Sequence, residues 1–287
     1  MTQRPGSYLV DSRRLRSGAS LVLLHAVVIG GAVVMLLPFV WMVSTSFKTE
    51  AEAFTFPPRF IPAAPTPTSY IELFSRLDFA RYFMNTIIVA LSVTGTSLFL
   101  NSLAAYAFAK IDFRGRDKLF VAILATMMVP GHVTVIPTFL LIRQLGLVNT
   151  YAGLIIPGMV SAFGIFLLRQ FMRTIPTELV EAAQIDGASE FWIYSRVIVP
   201  LCKPALATLG LLTFMGSWNS FFWPLIIATD TDMYTLPVAI AMLRGQYGTQ
   251  FPLQMAGATV VVLPVIVLFL FLQRYYTRGI TLSGMKG

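Results

Sequence analysis

The sequence predicts an all-α polytopic membrane protein, with six transmembrane helices and one sizeable helical loop on the cytoplasmic side. Three observations carry this prediction. Only 12% of the 287 residues are charged and 56% are apolar, with a mean hydropathy of +0.74. A soluble domain carries about 25% charged and about 45–50% apolar residues. The charges also leave six long gaps: Ser17–Phe47, Tyr82–Ala109, Leu119–Ile142, Gln144–Leu168, Pro204–Thr229 and Gly245–Gln273, of 31, 28, 24, 25, 26 and 29 residues. Each exceeds the roughly 20 apolar residues that cross a bilayer. The third observation is how Lys and Arg divide when the chain is threaded through six spans. Fifteen lie on the side of the termini and six on the other, which makes the terminal side cytoplasmic.

Backbone polar groups left unpaired in lipid are costly, so each gap reads as a helix. Residues 1–16 form a short cytoplasmic lead-in, and 17–287 one transmembrane domain. The spans fall near 20–43, 84–109, 119–142, 151–168, 204–229 and 254–273. The first reads as a retained anchor, because its apolar run is too long for a secretory signal and no clean small-x-small cleavage site follows it. An outer segment from Lys48 to Arg81 is rich in proline and reads as wrapping over the membrane surface, with Phe60–Ile71 extended. Pro130-Gly131, Pro137, Pro157-Gly158, Pro224 and Pro264 fall in or beside spans and read as packing kinks. Ser92, Thr96, Ala104, Ala105 and Gly153 read as helix-contact positions. The net charge of +8 is accounted for by topology and anionic lipid, without nucleic acid.

The inner loop, 169–203, reads as two short helices about a glycine. Thr177 is placed to cap the first, with Glu178 in its first turn, and Gly187 is placed to stop it. Ser189 is placed to cap the second, and Pro200 to close the segment.

Much chemistry is missing. The spans hold no Asp, Glu, Lys or Arg, whereas ion-coupled carriers need an ionisable group at mid-membrane. His25 and His132 are the two candidates, and each reads better as a hydrogen-bonded structural histidine. There is no G-x-x-x-x-G-K-[ST] phosphate loop, no H-E-x-x-H, no G-x-S-x-G and no Cys/His ligand cluster. Cys202 is the sole cysteine. No catalytic residue, metal site or cofactor site is assigned to this chain. A charge-free pathway suits a neutral polar solute, and uphill transport then needs power from elsewhere.

The inner loop supplies the strongest motif. Glu181-Ala182-Ala183-x-x-Asp186-Gly187-Ala188, followed by Val197-x-Val199-Pro200, resembles the EAA loop of ABC-importer permeases, with valine in place of the usual isoleucine and leucine. The likeness to the carbohydrate-type, maltose-permease-like branch extends along most of the chain. It includes Asn85-Thr86 through Ala104-Ala105-Tyr106-Ala107-Phe108-Ala109-Lys110, Leu145-Gly146-Leu147-x-Asn149-Thr150, Phe214-x-x-x-Trp218-Asn219-x-Phe221-x-x-Pro224-Leu225 and the tail Gly279–Gly287. The chain is similar to the shorter, six-span partner of the two permeases in such importers.

The resemblance implies that the loop is a coupling helix docking in a separate ATPase, with Leu179, Glu181, Ala182, Ala183, Asp186 and Gly187 at the contact. Leu179, Ala182 and Ala183 would form a small apolar face, and Glu181 and Asp186 would accept hydrogen bonds or pair with Arg or Lys. It also implies a second permease, two ATPase copies that hold the ATP and magnesium, and an extracytoplasmic solute-binding protein, all at the cytoplasmic membrane of a prokaryote. Lys286-Gly287 would reach toward the ATPase. An outer loop, Asp230–Gln254, would meet the binding protein through a tip at Gly245, Gln246, Tyr247 and Gly248.

Thr213, Ser217, Asn219 and Ser220 make a polar stripe in the fifth span, with Trp218 on another face. Two readings stand for it, a solute path whose groups exchange hydrogen bonds with sugar hydroxyls and a set of interhelical hydrogen bonds. For the whole chain the alternatives are an ion-coupled sugar carrier and a membrane enzyme acting on lipid-linked sugar, with Asp230 and Asp232 as its acidic pair.

Overall fold

The computed structural model describes residues 18–76, 78–246 and 250–283, and no strand occurs among them. Helix α1 (Gly18–Ser46) is apolar throughout and exposes nearly all of its side chains up to Val43. The chain then turns and becomes buried at Thr45, Ser46 and Lys48. Two short helices, α2 (Glu50–Ala53) and α3 (Thr68–Arg76), sit in the proline-rich segment. The extended stretch expected over Phe60–Ile71 therefore ends at Pro67, where the carbonyl accepts from the amides of Tyr70 and Ile71 and opens α3.

Helix α4 (Phe79–Lys110) is the spine of the fold. It packs against α8 (Ala162–Arg173) and α12 (Lys203–Trp218). Its small and short polar residues, such as Ser97, Asn101, Ser102 and Ala105, are buried in these contacts, as expected where backbones approach closely. Helix α15 (Phe251–Ser283) pairs with α1 and α12.

Among the described residues two helices, α1 and α4, are long and apolar enough to cross a membrane unbroken. Three of the other windows are interrupted. The one expected as a single helix over 119–142 is α5 (Arg116–Thr126) and α6 (Gly131–Gln144), at 99° to each other. Its break is a tight turn over Met127–Val129 followed by Pro130, which has no amide to continue the ladder. The window 151–168 comprises α7 (Tyr151–Ile155), a 3₁₀ turn at Ile156–Gly158 and α8, bent by 45°. The window 204–229 stops being one helix at Trp218 and resumes as α13 (Phe222–Ile227).

Between α8 and α12 lie α9 (Glu178–Ile185), α10 (Glu190–Ile193), a π turn at Tyr194–Ile198 and α11 (Val199–Leu201). Pro200 does not close this segment as expected. It sits in the first turn of α11, where its missing amide costs nothing, and the 82° bend into α12 comes after Leu201. The outer loop expected over Asp230–Gln254 contains a helix of its own, α14 (Leu236–Gln246), whose Leu236, Val238 and Ala239 are buried.

Gly153 is a close-approach site. A Cβ added there would lie 2.2 Å from the Leu147 carbonyl oxygen, which supports reading it as a packing position.

Candidate functional site

The inner loop folds as an elbow. Gly187 has φ +80°, its amide bonds the Gln184 carbonyl at 3.0 Å, and the Ala188 amide bonds the Ala183 carbonyl at 3.0 Å. These two bonds form a Schellman motif, which needs a residue in the left-handed region just past the helix. Ser189 caps α10 by accepting from the Trp192 amide at 3.4 Å. Thr177 makes no side-chain cap. Its backbone is already helical (φ −72°, ψ −25°), so its hydroxyl is not aimed back at the first-turn amides as an extended cap residue's would be.

The expected apolar face is corrected in one residue. Ala183 is only 9% exposed and packs with Val180 into a buried cluster containing Tyr106, Leu168, Ile193 and Ile198. The outward face is Leu179, Ala182 and Ile185, three residues apart, and Ile185 is 87% exposed. Sequence reading missed Ile185, although the 179–182–185 spacing against 180–183 was available to find it. Glu181 and Asp186 are exposed, as docking acceptors would be.

Polar contacts tie this elbow to the C-terminal end of α4. The Tyr106 hydroxyl donates to Glu190 Oε2 at 2.6 Å, and Gln184 Nε2 donates to Glu190 Oε1 at 2.9 Å. Tyr194 and Ser102 share a buried hydroxyl–hydroxyl bond of 2.7 Å. Lys110 Nζ donates to the Ile175 carbonyl at 2.6 Å, and Arg169 Nε to the Phe108 carbonyl at 3.1 Å. Behind them Cys202 is fully buried, and burial pushes its thiol up to about 11 against a smaller opposite pull from Lys110.

A second site lies between α4, α7, α8, α12 and α13. It is a cavity of about 410 Å³ whose polar groups are Ser97, Ser161, Thr213, Ser217 and Ser220, with Trp223 in its wall and no charged residue. Three of the four predicted path residues meet here. Ser220 gets there by a turn rather than by helical spacing, since α12 has ended and the Ser220 amide bonds the Ser217 carbonyl at 3.2 Å. Asn219 does not line the cavity. Its side-chain amide donates to the Met215 carbonyl at 2.9 Å and caps its own helix. Trp218 points elsewhere, as expected; it is fully buried and its indole donates to the Val261 carbonyl at 3.0 Å.

Ser97, Ser161 and Trp223 were missed because they come from other elements. Asn101 organises two of them, donating to Ser97 Oγ at 2.7 Å and accepting from the Ser161 amide at 3.0 Å. Trp223 is held by its indole bond to the Gly153 carbonyl at 3.1 Å.

The remaining candidates separate. Asp230 accepts from Asn149 Nδ2 at 2.7 Å, and Asp232 pairs with Arg81 at 2.7 Å. Each thus has its own structural partner. His25 bonds the carbonyl of Leu21 within α1, and the His132 ring stands 6.0 Å from that of Phe222. No group of three His, Cys, Asp or Glu suited to a metal occurs among the described residues. Gly245 and Gln246 end α14, whereas Tyr247, Gly248, Lys286 and Gly287 lie outside the described residues.

Comparison with known proteins identifies the assembly type. The model for the family described as binding-protein-dependent transport system inner membrane component matches residues 97–282. The chain belongs to this family. It is 36% identical over 229 residues to the arabinooligosaccharides transport system permease AraQ of Halalkalibacterium halodurans, covering 79% of this chain and 82% of that one. It is 34% identical over 261 residues to the trehalose/maltose transport system permease MalG of Thermococcus litoralis, covering 89% and 93%. A chain from the crystal structure of a bacterial ABC transporter involved in the import of the acidic polysaccharide alginate superposes with a TM-score of 0.79 at 28% identity, covering 91% of this permease and 98% of that chain. This inner membrane protein is therefore a permease subunit of an ABC importer, of the carbohydrate type, and not an enzyme.

Proposed function

We propose that this permease imports a neutral oligosaccharide, amino sugar or related polyol by alternating access, driven by ATP hydrolysed on a separate subunit. The single observation that carries the reading is the cavity beside α12, where hydroxyls from three segments of the fold face an indole ring without any fixed charge. Hydroxyl groups exchange hydrogen bonds with sugar hydroxyls, and an aromatic face suits the apolar face of a pyranose.

In this reading six spans cross the membrane with both termini cytoplasmic, the bent pairs α5–α6 and α7–α8 are broken spans or re-entrant segments whose freed backbone groups face protein or a wet cavity, and the 82° bend into α12 marks where the cytoplasmic loop meets its span. The elbow at Gly187 is the coupling helix. Leu179, Ala182 and Ile185 enter a groove on the ATPase, and Glu181 and Asp186 bond its rim. The complete importer holds a second permease, two ATPase copies carrying ATP and magnesium, and an external binding protein that sets most of the selectivity. The relatives named for arabinooligosaccharides and for trehalose/maltose support a carbohydrate cargo.

The test is reconstitution of the four components in vesicles. Uptake of a labelled neutral oligosaccharide should require internal ATP and the binding protein, and should survive an ionophore. Uphill uptake by this chain alone, abolished by the ionophore, would refute the proposal.

A further inference from the structure

The outer segment after α1 carries large apolar side chains that the transport reading does not use and that are mostly exposed. Phe56 is 96% exposed and Ile61 is 81% exposed, with Phe54 and Phe60 also mostly outside. The segment is held in place. Lys48, itself buried, donates from Nζ to the Arg59 carbonyl at 2.5 Å, the Ser44 hydroxyl donates to the Phe60 carbonyl, Glu52 accepts from the Ala63 amide at 2.6 Å, and the Thr66 amide bonds the Phe47 carbonyl at 2.9 Å. These side chains are therefore displayed by a braced loop.

The bracing also sets the level of the loop. The Phe60 ring stacks edge-on against Trp41 at 5.0 Å, and Lys48 Nζ lies 4.1 Å from the same indole. Trp41 is five residues before the end of α1, so at 1.5 Å per residue the loop folds back about 7 Å alongside the apolar helix. At its other edge Phe54 meets Phe251 at the start of α15, the neighbour that packs on α1, with ring centroids 6.2 Å apart. Between Ala53 and Ile71 the only charged residue is Arg59, which is exposed. Tryptophan at a helix end, a band of aromatic and aliphatic side chains and one cation are the chemistry of the lipid headgroup boundary.

We infer that the loop 54–61 is a lipid-interface anchor, inserting Phe56 and Ile61 into the outer leaflet beside the α1 terminus with Arg59 on a lipid phosphate. The occupant is lipid rather than a protein because the loop continues the exposed, apolar surface of α1. The inference rests on α1 being a membrane span.

The test uses the assembled importer in phosphatidylethanolamine/phosphatidylglycerol vesicles. Spin labels are placed singly through Phe56→Cys, Ile61→Cys and, as a mid-span control, Val34→Cys. The native thiol of Cys202 is fully buried. All three labels should collide with dissolved oxygen at least about twofold more than with a water-soluble nickel chelate, with positions 56 and 61 reporting an interfacial depth of about 5–10 Å. Preference for nickel at 56 and 61 with a lipid signal at 34 would overturn the anchor alone and leave the span intact. Protection from both reagents at 56 and 61 would mean that a protein partner covers the loop, and would overturn it too. A water signal at 34 would remove the span, and the anchor with it.

Discussion

Tyr106 donates its phenolic hydrogen to the Glu190 carboxylate at 2.6 Å, joining the C-terminal end of the central helix α4 to the start of α10. The same carboxylate accepts from Gln184 on α9. One side chain thus connects the elbow at Gly187 to the helix that walls the hydroxyl-lined cavity.

Removing that connection should uncouple the importer. A hydrogen bond to a charged acceptor is worth about 1.5–3 kcal/mol, enough to let the elbow move without α4. Tyr106→Phe should leave assembly intact and lower solute imported per ATP hydrolysed by at least about tenfold. Glu190→Gln should fall between it and wild type, because an amide still accepts from the phenol. A proportional loss of hydrolysis and uptake, with the ratio unchanged, would reduce Tyr106 to a packing residue.

Gly187 should tolerate little. An added Cβ would meet nothing within 4 Å, so space is not the constraint. The constraint is φ +80°, which costs an L-residue roughly 1–2 kcal/mol. Gly187→Val should cut copurification of the ATPase subunit while membrane insertion stays normal, and Gly187→Asn should be milder because asparagine visits this region more readily. Equal ATPase recovery with all three chains would count against the elbow as a docking element.

The two faces of α9 should respond oppositely. Ile185→Asp changes an exposed side chain, so stability should shift by no more than about 0.5 kcal/mol while ATPase affinity drops. Ala183→Leu overfills the buried cluster and should destabilise by about 1–3 kcal/mol. Thermal unfolding of the purified permease, read beside ATPase binding, separates the two. Unaltered binding in Ile185→Asp would mean that the outward face is not the contact.

These contrasts show what the sequence made legible. The apolar windows and the glycine stop at 187 could be read because they depend on composition and on one residue's backbone freedom. The failed cap at Thr177 could not, since capping depends on a backbone angle that Thr177 does not itself dictate. The break at 127–130 contained a visible proline, yet a proline signals only that the ladder is interrupted, and the neighbours decide whether the result is a mild kink or 99°. The cavity was half legible. Thr213 and Ser217 share one helix, whereas Ser97, Ser161 and Trp223 arrive from elements far apart in sequence.

Cys202 should resist modification. At pH 8 a thiol pushed up to about 11 holds roughly a hundredth of the thiolate of an ordinary one, before access is considered. Maleimide labelling should therefore be at least about 100-fold slower than for a surface cysteine. It should rise about tenfold per pH unit from 7 to 9 without levelling, because the reactive anion grows throughout that window. A plateau by pH 9 would place the thiol in water and contradict its burial.

The cavity yields the sharpest test of cargo, because its members differ in what else they do. Ser217 lines it and is not required by the helix ladder, so Ser217→Ala should weaken solute handling by about the value of one hydrogen bond, 0.5–1.5 kcal/mol, seen as a roughly threefold to tenfold rise in the half-saturating concentration for uptake. Gly216 also lines it, and an added Cβ there meets nothing within 4 Å. Gly216→Leu should consequently fold and assemble but obstruct the space, abolishing uptake while ATP hydrolysis persists. Asn219 spends its amide on the Met215 carbonyl, outside the cavity, so Asn219→Ala should change uptake kinetics little. If Asn219→Ala impaired uptake and Ser217→Ala and Gly216→Leu did not, the path would run along the other side of α12 and the hydroxyl-lined cavity would revert to a packing defect between helices.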